Sequence, residues 1–410
     1  MSTADEPVQD WTTDFDILDP EYVRDPAPVW DELRAKCPIA HTTRWGGAWL
    51  TTRYEDVQAM VRMVPELSSR SPAVVPPPPE MREELIAELK EYGNENPPIT
   101  ADPPEHVGYR RLILPFFSPK AVAEQRAFTQ ASCHAMIDRI VDAGEADAAV
   151  DFAQQIPPRV IASVIGIDSD RVDEFVEWTR GVLELGQVQP ELRMKYRRII
   201  REFFRDLVVQ RRREPRDDIV SKLIAAEVDG EPLNDYKIVG VCNLLLVAGI
   251  DTTWSSIGAA LLHFASHAND RQRIYAEPEL LPSAIEEMLR FYSPVTMARK
   301  VTEPVSFGDV SMHPGDKLLL NFPAANRDPD VFERADEVVL DRERNRHIAF
   351  GVGIHRCAGS NLARMEMEVA LRTWFERFED FELSAPHGVT WTGGQVRGPR
   401  NIPVRLSRRA

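Results

Sequence analysis

One cysteine, Cys357, lies in a glycine-rich stretch that runs from Phe350 to Gly359 and reads Phe-Gly-Val-Gly-Ile-His-Arg-Cys-Ala-Gly. The glycines allow the backbone to adopt positive φ and to approach a flat group closely. From Ala358 onward, apolar residues recur at helical spacing, so the cysteine is expected just before a helix N-terminus. Unpaired N–H groups and the helix dipole there favour a thiolate over a thiol. An anionic sulfur on such a loop suits a haem iron, which takes an electron-rich proximal ligand.

A second pair of side chains, Asp251 and Thr252, falls in the apolar centre of a long helix predicted from Asn234 to His267. A buried aspartate is rare and needs a reason. Threonine and the preceding Gly249 have modest helix propensity, which makes this turn the weak point of the helix. If the threonine hydroxyl bonds to the carbonyl four residues back, the helix can open locally and leave a groove for a diatomic molecule and a water.

Two further charged pairs have helical spacing. His106 and Arg110 share one helix face and would suit the two carboxylates of a haem, although a solvated surface face gives the same spacing. Glu287 and Arg290 lie three residues apart in another predicted helix and are expected to form a buried, hydrogen-bonded ion pair. This second pair is interpreted as scaffold rather than as chemistry.

These segments resemble four motifs of the cytochrome P450 family. Residues 350–359 are similar to its haem-ligand loop, residues 248–252 to its oxygen-binding turn, residues 102–110 to its Asp-Pro-Pro-x-His-x-x-x-Arg element and residues 287–290 to its Glu-x-x-Arg pair. The resemblance runs from Asp16 to the C-terminus. It implies a mainly α fold with a smaller β region, in which a long central helix crosses the haem. It also implies one domain over residues 1–410, and the first twenty residues are expected to be a loosely held lead-in.

The resemblance implies a role for each matching residue. Thr252 would hydrogen-bond dioxygen during its cleavage, Asp251 would admit protons from solvent, and Cys357 would be the iron ligand. The residues implied to contact haem b are His106, Arg110, Ala248, Arg299, Phe350, His355, Cys357 and Gly359. The residues implied to line the substrate pocket are Val247, Ala248, Val295, Met297 and Val396. The residues implied to form a structural network beneath the haem loop are Glu287, Arg290 and Arg327.

A proline-rich segment over residues 71–98 precedes these motifs and is the least regular part of the sequence. Pro76-Pro77-Pro78-Pro79 cannot form helix or central strand, and a helical patch is predicted from Glu80 to Glu91. The segment is either a solvated linker or, as the resemblance implies, a lid over the substrate pocket. Long loops in compact enzymes favour the lid.

Composition and charge restrict the function further. The chain has 410 residues and a net charge of −16, which argues against a nucleic-acid partner. The four cysteines are far apart, so a zinc cluster is disfavoured, and no Cys-x-x-Cys-His motif for covalent haem attachment occurs. The polar, acidic N-terminus lacks the features of a signal peptide or membrane anchor, and the longest apolar run is too short to span a bilayer. A cytoplasmic monomer without membrane association is expected.

The function predicted from the resemblance is that of a haem-thiolate monooxygenase. It would use O2 and two electrons that reach it one at a time from NAD(P)H through a ferredoxin or flavodoxin. It would insert one oxygen atom, by hydroxylation or O-dealkylation, into a small apolar substrate such as a terpenoid or aromatic. A peroxygenase driven by hydrogen peroxide and a non-catalytic haem or ligand-binding protein are the alternatives, and the Asp251–Thr252 pair argues against both.

A group of arginines near Cys357 is the candidate contact for the electron donor. Basic side chains on this face would suit an acidic ferredoxin in spite of the negative total charge, but an ordinary solvated surface explains them equally well. The group consists of Arg342, Arg344, Arg346 and Arg356.

Overall fold

Helices make up most of the structure, a computed structural model that describes residues 6–76, 83, 87, 96–167, 171–228 and 230–408. The described helices are, in chain order, α1 Pro20–Arg24, α2 Ala27–Lys36, α3 Tyr54–Met60, α4 Glu105–Ile113, α5 Pro119–Ile140, α6 Ile156–Ile165, α7 Val172–Leu183, α8 Leu185–Val188, α9 Pro190–Arg213, α10 Ile219–Ile224, α11 Asp235–Ser266, α12 Ala268–Ala276, α13 Leu281–Phe291, α14 Phe322–Ala325 and α15 Ser360–Arg377.

A smaller β region lies beside the helices. Its described strands are β1 Ile39–Thr42, β2 Ala48–Thr51, β3 Leu67–Ser68, β4 Glu145–Asp147, β5 Glu227–Val228, β6 Glu231–Pro232, β7 Met297–Val301, β8 Val305–Phe307, β9 Val310–Met312, β10 Lys317–Leu320, β11 Phe378–Leu383, β12 Thr390–Thr392, β13 Gly398–Asn401 and β14 Pro403–Arg408. The largest sheet has the order β1-β2-β10-β7-β3, and a second has the order β11-β14-β4. On β7, Met297 and Arg299 are two residues apart and therefore point to the same face of the sheet.

Helix α11 is the centre of the helical layer. It begins after Asn234, whose side chain accepts a hydrogen bond from the Lys237 N–H at 2.9 Å. Its apolar residues face all directions, and α6, α7, α9 and α15 pack against it. Gly249 permits the close approach of α6, because a Cβ at that position would lie 3.0 Å from Cδ1 of Ile161. This glycine thus serves helix packing as well as lowering helix propensity.

By length and composition, α11 is also the one helix among the described residues that could cross a membrane. However, 67% of its most apolar window is buried inside the protein. The apolar surface of the helix is therefore largely covered by neighbouring helices.

The N-terminal lead-in is packed more firmly than predicted. Phe15 and Ile17 are buried in a cluster with the aromatic residues of α1 and α2. The side chain of Arg44 bonds to Asp14 at 2.6 Å and to Asp16 at 3.2 Å. Residues 14–17 are anchored because these apolar and ionic contacts together outweigh the chain entropy of a free end. The expectation of a loosely held segment is therefore wrong for these residues.

The helix predicted from Glu80 to Glu91 lies outside the described residues, apart from two isolated positions. The C-terminal end of the proline-rich segment is described and touches the central helix. The Asn243 side-chain amide of α11 donates to Oδ1 of Asn96 at 2.5 Å. This end of the segment is thereby placed beside α11.

Candidate active site

The loop that carries Cys357 is held in shape by its backbone. The Cys357 N–H donates to the Phe350 carbonyl at 2.8 Å, which closes the loop. Gly351 and Gly353 have φ values of 67° and 72°, a region that favours glycine. Helix α15 begins at Ser360, so the cysteine precedes the helix as predicted.

The sulfur of Cys357 is accessible and yet lies deep among protein atoms, which places it at the wall of an interior cleft. Burial raises the pKa of the Cys357 thiol. The pKa is lowered, to a smaller extent, by the hydrogen bond from the Gly359 N–H and by three nearby cations, Arg110, Arg356 and Arg364. The expectation that the loop alone favours a thiolate is therefore wrong, because desolvation outweighs the nearby donors. A coordinated metal cation removes the proton from such a thiol outright.

Four hydrogen-bond donors converge next to this loop. The rings of His106 and His355 lie 4.5 Å apart. Both nitrogens of His106, Nε2 of His355 and Nε of Arg299 are buried without a partner of good geometry. Arg110 donates to the carbonyl of Arg356. Burial lowers the pKa of Arg299 to about 10 and that of His355 to about 3, the latter with the help of the neighbouring cations.

These donors fit the haem that the loop implies. Asp102 is the carboxylate whose charge raises the pKa of both His106 and Arg299. It already accepts hydrogen bonds from Ser68 and Ser69. Buried donors without acceptors are costly, most of all the charged guanidinium of Arg299, and anionic oxygens satisfy them. A haem provides two propionate carboxylates and an iron for Cys357. The residues present therefore fit this group.

The turn around Thr252 lines a cleft beside α11. Ala248 is exposed although it lies in the middle of a buried helix, and Thr252 is partly exposed. The Thr252 hydroxyl donates to the Ala248 carbonyl at 3.0 Å, which is the bond on which the predicted local opening of the helix depended. The helix continues without a break through this turn. Because its hydrogen is used by the carbonyl, the Thr252 oxygen offers lone pairs to a ligand in the cleft.

Asp251 is buried in an ion network that sequence analysis missed. Arg400 of β13 donates to Asp251 Oδ1 at 2.7 Å, to Ser255 Oγ at 3.0 Å and to Glu184 Oε2 at 2.8 Å. Glu184 also pairs with Arg180 at 2.9 Å. Arg400 lies 149 positions from Asp251, and no local pattern connects such distant residues.

The charges of this network oppose one another. Burial raises the pKa of Asp251, Arg400 lowers it and Glu184 raises it, with a raised value as the result. Burial also acts to raise the pKa of Glu184, but hydrogen bonds and charge from Arg180 and Arg400 outweigh it, so this pKa is lowered. The side chain of Arg180 is 40% exposed, so the network extends from the central helix to solvent.

The predicted pocket residues come from three separate elements. Val295 and Val396 form an isolated antiparallel bridge, and the Gln395 amide donates to the Met297 sulfur at 3.4 Å. Val247 lies on α11, one residue before Ala248, and is partly exposed. The structure thus joins Val295, Val396 and Met297 in one group, whereas Val247 belongs to α11.

The Glu287–Arg290 pair is fully buried and bonded at 2.8 Å. Arg342 and Asn345 also donate to Glu287, at 2.9 Å and 3.2 Å. The expected place of Arg327 in this network is taken by Arg342. Arg327 bonds instead to Asp336 at 3.0 Å and lies 3.7 Å from the centre of the Phe291 ring.

A second ion pair, also missed from the sequence, supports the cysteine loop. Arg364 of α15 bonds to both oxygens of Glu286, at 2.6 Å and 2.8 Å. Its guanidinium lies 4.5 Å from the centre of the Phe350 ring. His347 Nε2 donates to the same glutamate at 3.0 Å. Helix α13 therefore holds Phe350 in place through Arg364.

Comparisons with known proteins agree with this geometry. The family model for cytochrome P450 matches residues 183–389. The polyketide biosynthesis cytochrome P450 PksS of Bacillus subtilis is 30% identical over 95% of this chain and 97% of its own length. The mycinamicin IV hydroxylase/epoxidase of Micromonospora griseorubida is 32% identical over 87% of this chain and 89% of its own length.

Solved structures show the same architecture. The structure of Bacillus subtilis PksS has a TM-score of 0.84 and 30% identity, and the match covers 94% of this chain and 98% of that one. P450BioI in complex with a fatty-acyl carrier protein also has a TM-score of 0.84, with 25% identity over 94% of this chain and all of that chain. The mainly α fold with a smaller β region is therefore confirmed, and the chain belongs to the cytochrome P450 family of monooxygenases.

Proposed function

We propose that this enzyme inserts one oxygen atom from O2 into an apolar organic substrate, by hydroxylation or O-dealkylation, with Cys357 as the haem ligand. The observation that supports this proposal best is the accessible Cys357 sulfur beside the unpartnered donors of Arg299, His106 and His355. Haem bound there supplies the iron that activates dioxygen, with the sulfur as electron-donating ligand. Arg110 would complete the set of propionate donors.

Two residues of α11 would bind oxygen and deliver protons to it. The Thr252 oxygen accepts a hydrogen bond from a group in the cleft because its own hydrogen is bonded to Ala248. Asp251, directly before Thr252, is a side chain able to carry a proton, and in this structure its carboxylate is bonded to Arg400. A proton would therefore pass when Asp251 exchanges Arg400 for water, and Glu184 and Arg180 provide the route to solvent.

We infer that electrons originate from NAD(P)H and arrive through a ferredoxin or flavodoxin at the face of the cysteine loop. Arg356 and Ile354 are exposed on this loop, and Arg62 lies within 3.8 Å of the Cβ position of Gly353. An apolar centre with a basic rim suits a small acidic protein. Arg344 and Arg346 are exposed as well, whereas Arg342 is largely buried with Glu287 and is not part of this surface.

The substrate would be small and largely apolar, such as a terpenoid or aromatic. Val247, Val295, Met297 and Val396 would supply the apolar contacts. Relatives are named for the oxygenation of mycinamicin IV, nocardicin C and a steroid, which supports oxygenation as the shared chemistry and leaves substrate choice to each pocket. We also propose that one domain spans residues 1–410 and that the enzyme acts as a cytoplasmic monomer.

A turnover experiment tests this proposal against its alternatives. Purified holoenzyme is supplied either with NADPH, ferredoxin reductase and a ferredoxin, or with hydrogen peroxide alone, and oxidised product is measured. Product under the first condition only supports the monooxygenase. Product mainly with peroxide indicates a peroxygenase, and no product under either condition with a spectrally confirmed ligand indicates a binding protein.

The Thr252→Ala variant tests the role of the hydroxyl in the same assay. More reducing equivalents are expected to leave as hydrogen peroxide and fewer as product, because the cleft loses its hydrogen-bond acceptor. Ser256→Ala is the matched control, since its hydroxyl also bonds to a carbonyl four residues back, that of Thr252, at 2.9 Å. Full coupling in Thr252→Ala would remove the proposed role.

A further inference from the structure

An arginine at the corner formed by α7, α8 and α9 has no counter-charge. Arg193 lies in the first turn of α9, and its Nε is buried without an acceptor. Its guanidinium forms no hydrogen bond or ion pair with any of the described residues. Its nearest charged influence is another cation, Arg197, and burial is the main cause that lowers the pKa of Arg193 to about 10. The residue as a whole is partly exposed, so the guanidinium combines a buried Nε that lacks an acceptor with an outer part that a bound anion can reach.

The other buried arginines show what is missing. Arg290 is paired with Glu287, Arg211 with Asp218, and Arg400 with Asp251. Arg299 is the closest parallel to Arg193, since it too has a buried, unpartnered Nε and a pKa lowered to about 10. For Arg299, the haem propionate proposed above would supply the missing carboxylate. By the same logic, Arg193 is built to receive an anion that the polypeptide does not provide.

The acidic residues near this corner are already engaged. Glu184 binds Arg180 and Arg400, and Glu177 accepts a hydrogen bond from Tyr196 at 2.7 Å. Both carboxylates would have to abandon these partners to neutralise Arg193. The corner is also tightly shaped around the arginine, because a Cβ on Gly186 would lie 2.6 Å from the Arg193 Cβ. The stem of Arg193 is thereby fixed against α8.

The corner borders the proposed active site on two sides. Two residues before Gly186, Glu184 connects through Arg400 to Asp251 of the central helix. One residue after it, Gln187 donates to the Gly393 carbonyl at 3.2 Å, on the connection from β12 to β13 that also carries Val396. Val396 pairs with Val295 of the pocket group. Glu184 and Gln187, on either side of Gly186, thus contact Arg400 and the connection that carries Val396.

We propose that Arg193 binds the carboxylate of the substrate, so that the preferred substrate is an organic acid with an apolar body. This inference rests on the proposed oxygenase function and refines its substrate class. The guanidinium would form charge-assisted hydrogen bonds with the carboxylate, and the apolar body would occupy the Val295–Val396 pocket. Binding would thus orient the substrate by one end.

A binding series on the holoenzyme tests this inference. Octanoate, dodecanoate and hexadecanoate are each compared with the methyl ester and the primary alcohol of equal chain length, by calorimetric titration and by the spectral shift of the haem. At least one acid is expected to bind about tenfold or more tightly than its ester. Arg193→Met should abolish this preference and leave affinity for the ester unchanged, and Arg193→Lys should retain part of it.

Arg213→Met, at the exposed far end of the same helix, is the matched control and should behave as the parent. A thermal scan separates ligand binding from a structural role. Without ligand, Arg193→Met should be as stable as the parent or more so, because it removes a buried Nε that has no acceptor. Equal affinity for acids and esters in the parent, or equal loss of both in Arg193→Met, overturns the inference. Arg193-dependent acid binding without product under reducing conditions overturns the oxygenase proposal alone.

Discussion

At the scale of single residues, Cys357 is an accessible thiol in a cleft whose desolvation raises its pKa, so its proposed role depends on a bound cation. We predict that Cys357→His retains some haem, because the propionate donors remain, but loses the red-shifted absorption band of the reduced carbon monoxide complex. The measurement is the difference spectrum of the reduced protein with carbon monoxide. Cys133→Ser, at a buried cysteine on α5, is the control and should keep the band. A retained band in Cys357→His would remove this cysteine as the ligand.

Arg400 gives a second prediction at this scale. Its removal takes away the largest influence that opposes the burial of Asp251, so the pKa of Asp251 rises further. If turnover needs the Asp251 carboxylate, the acidic limb of the pH–rate profile should move to higher pH in Arg400→Gln. Arg400→Lys keeps the charge and should show a smaller shift.

A purely structural role for Arg400 would act differently. Loss of one partner from a buried ion pair costs about 3–5 kcal/mol of folding free energy. Such a loss would lower the thermal midpoint and the maximum rate without moving the profile along the pH axis. An unshifted profile would therefore contradict the proposed link between Arg400 and the proton route.

At the scale of elements, the spacing of residues within a segment predicted much of the structure, whereas contacts between distant segments were not predicted. The caps and periodicity of α11 placed Asp251 and Thr252 on one helix, and the Thr252–Ala248 bond follows from that spacing. By contrast, Arg400 and Arg342 reach their carboxylates from distant segments, and a sequence without an alignment holds no signal for such contacts. The lead-in around Phe15 was misjudged for the same reason, because its partners lie elsewhere in the chain.

Helix α13 is the element whose ion pairs support the cysteine loop. We predict that Glu287→Gln lowers the free energy of unfolding by about 3–5 kcal/mol, because Arg290 and Arg342 then lose their buried carboxylate. Denaturant unfolding of the holoprotein measures this change. Glu337→Gln is the control, since its ion pair with Arg334 is exposed, and it should have no measurable effect. Equal midpoints for the two variants would contradict the structural role.

The glutamates of the same helix should make the stability of the fold sensitive to acid. Burial opposes it, but hydrogen bonds from Arg364 and His347 lower the pKa of Glu286 to about 2, and that of Glu287 is lowered as well. Because these folded-state pKa values lie below the unfolded ones, their stabilising contribution is complete above about pH 5 and is lost as the pH falls toward 2. Glu286→Gln should flatten the loss of stability over this range, as measured by denaturant midpoints at successive pH values. A curve as steep as that of the parent would contradict this assignment.

At the scale of the whole molecule, a net charge of −16 coexists with a basic surface around the cysteine loop. Total charge repels an acidic ferredoxin at long range, whereas Arg62 and Arg356 attract it once it faces the loop. We predict that the rate of reduction by an acidic ferredoxin falls about tenfold as salt rises from ~0.05 to ~0.5 M, because salt screens this local attraction. Stopped-flow reduction at limiting ferredoxin measures the rate. Arg356→Gln should lower the rate at low salt and weaken its salt dependence, while Arg213→Gln, an exposed arginine at the end of α9, should do neither. If reduction becomes faster with salt in the parent, the total charge dominates the encounter and the donor docks elsewhere.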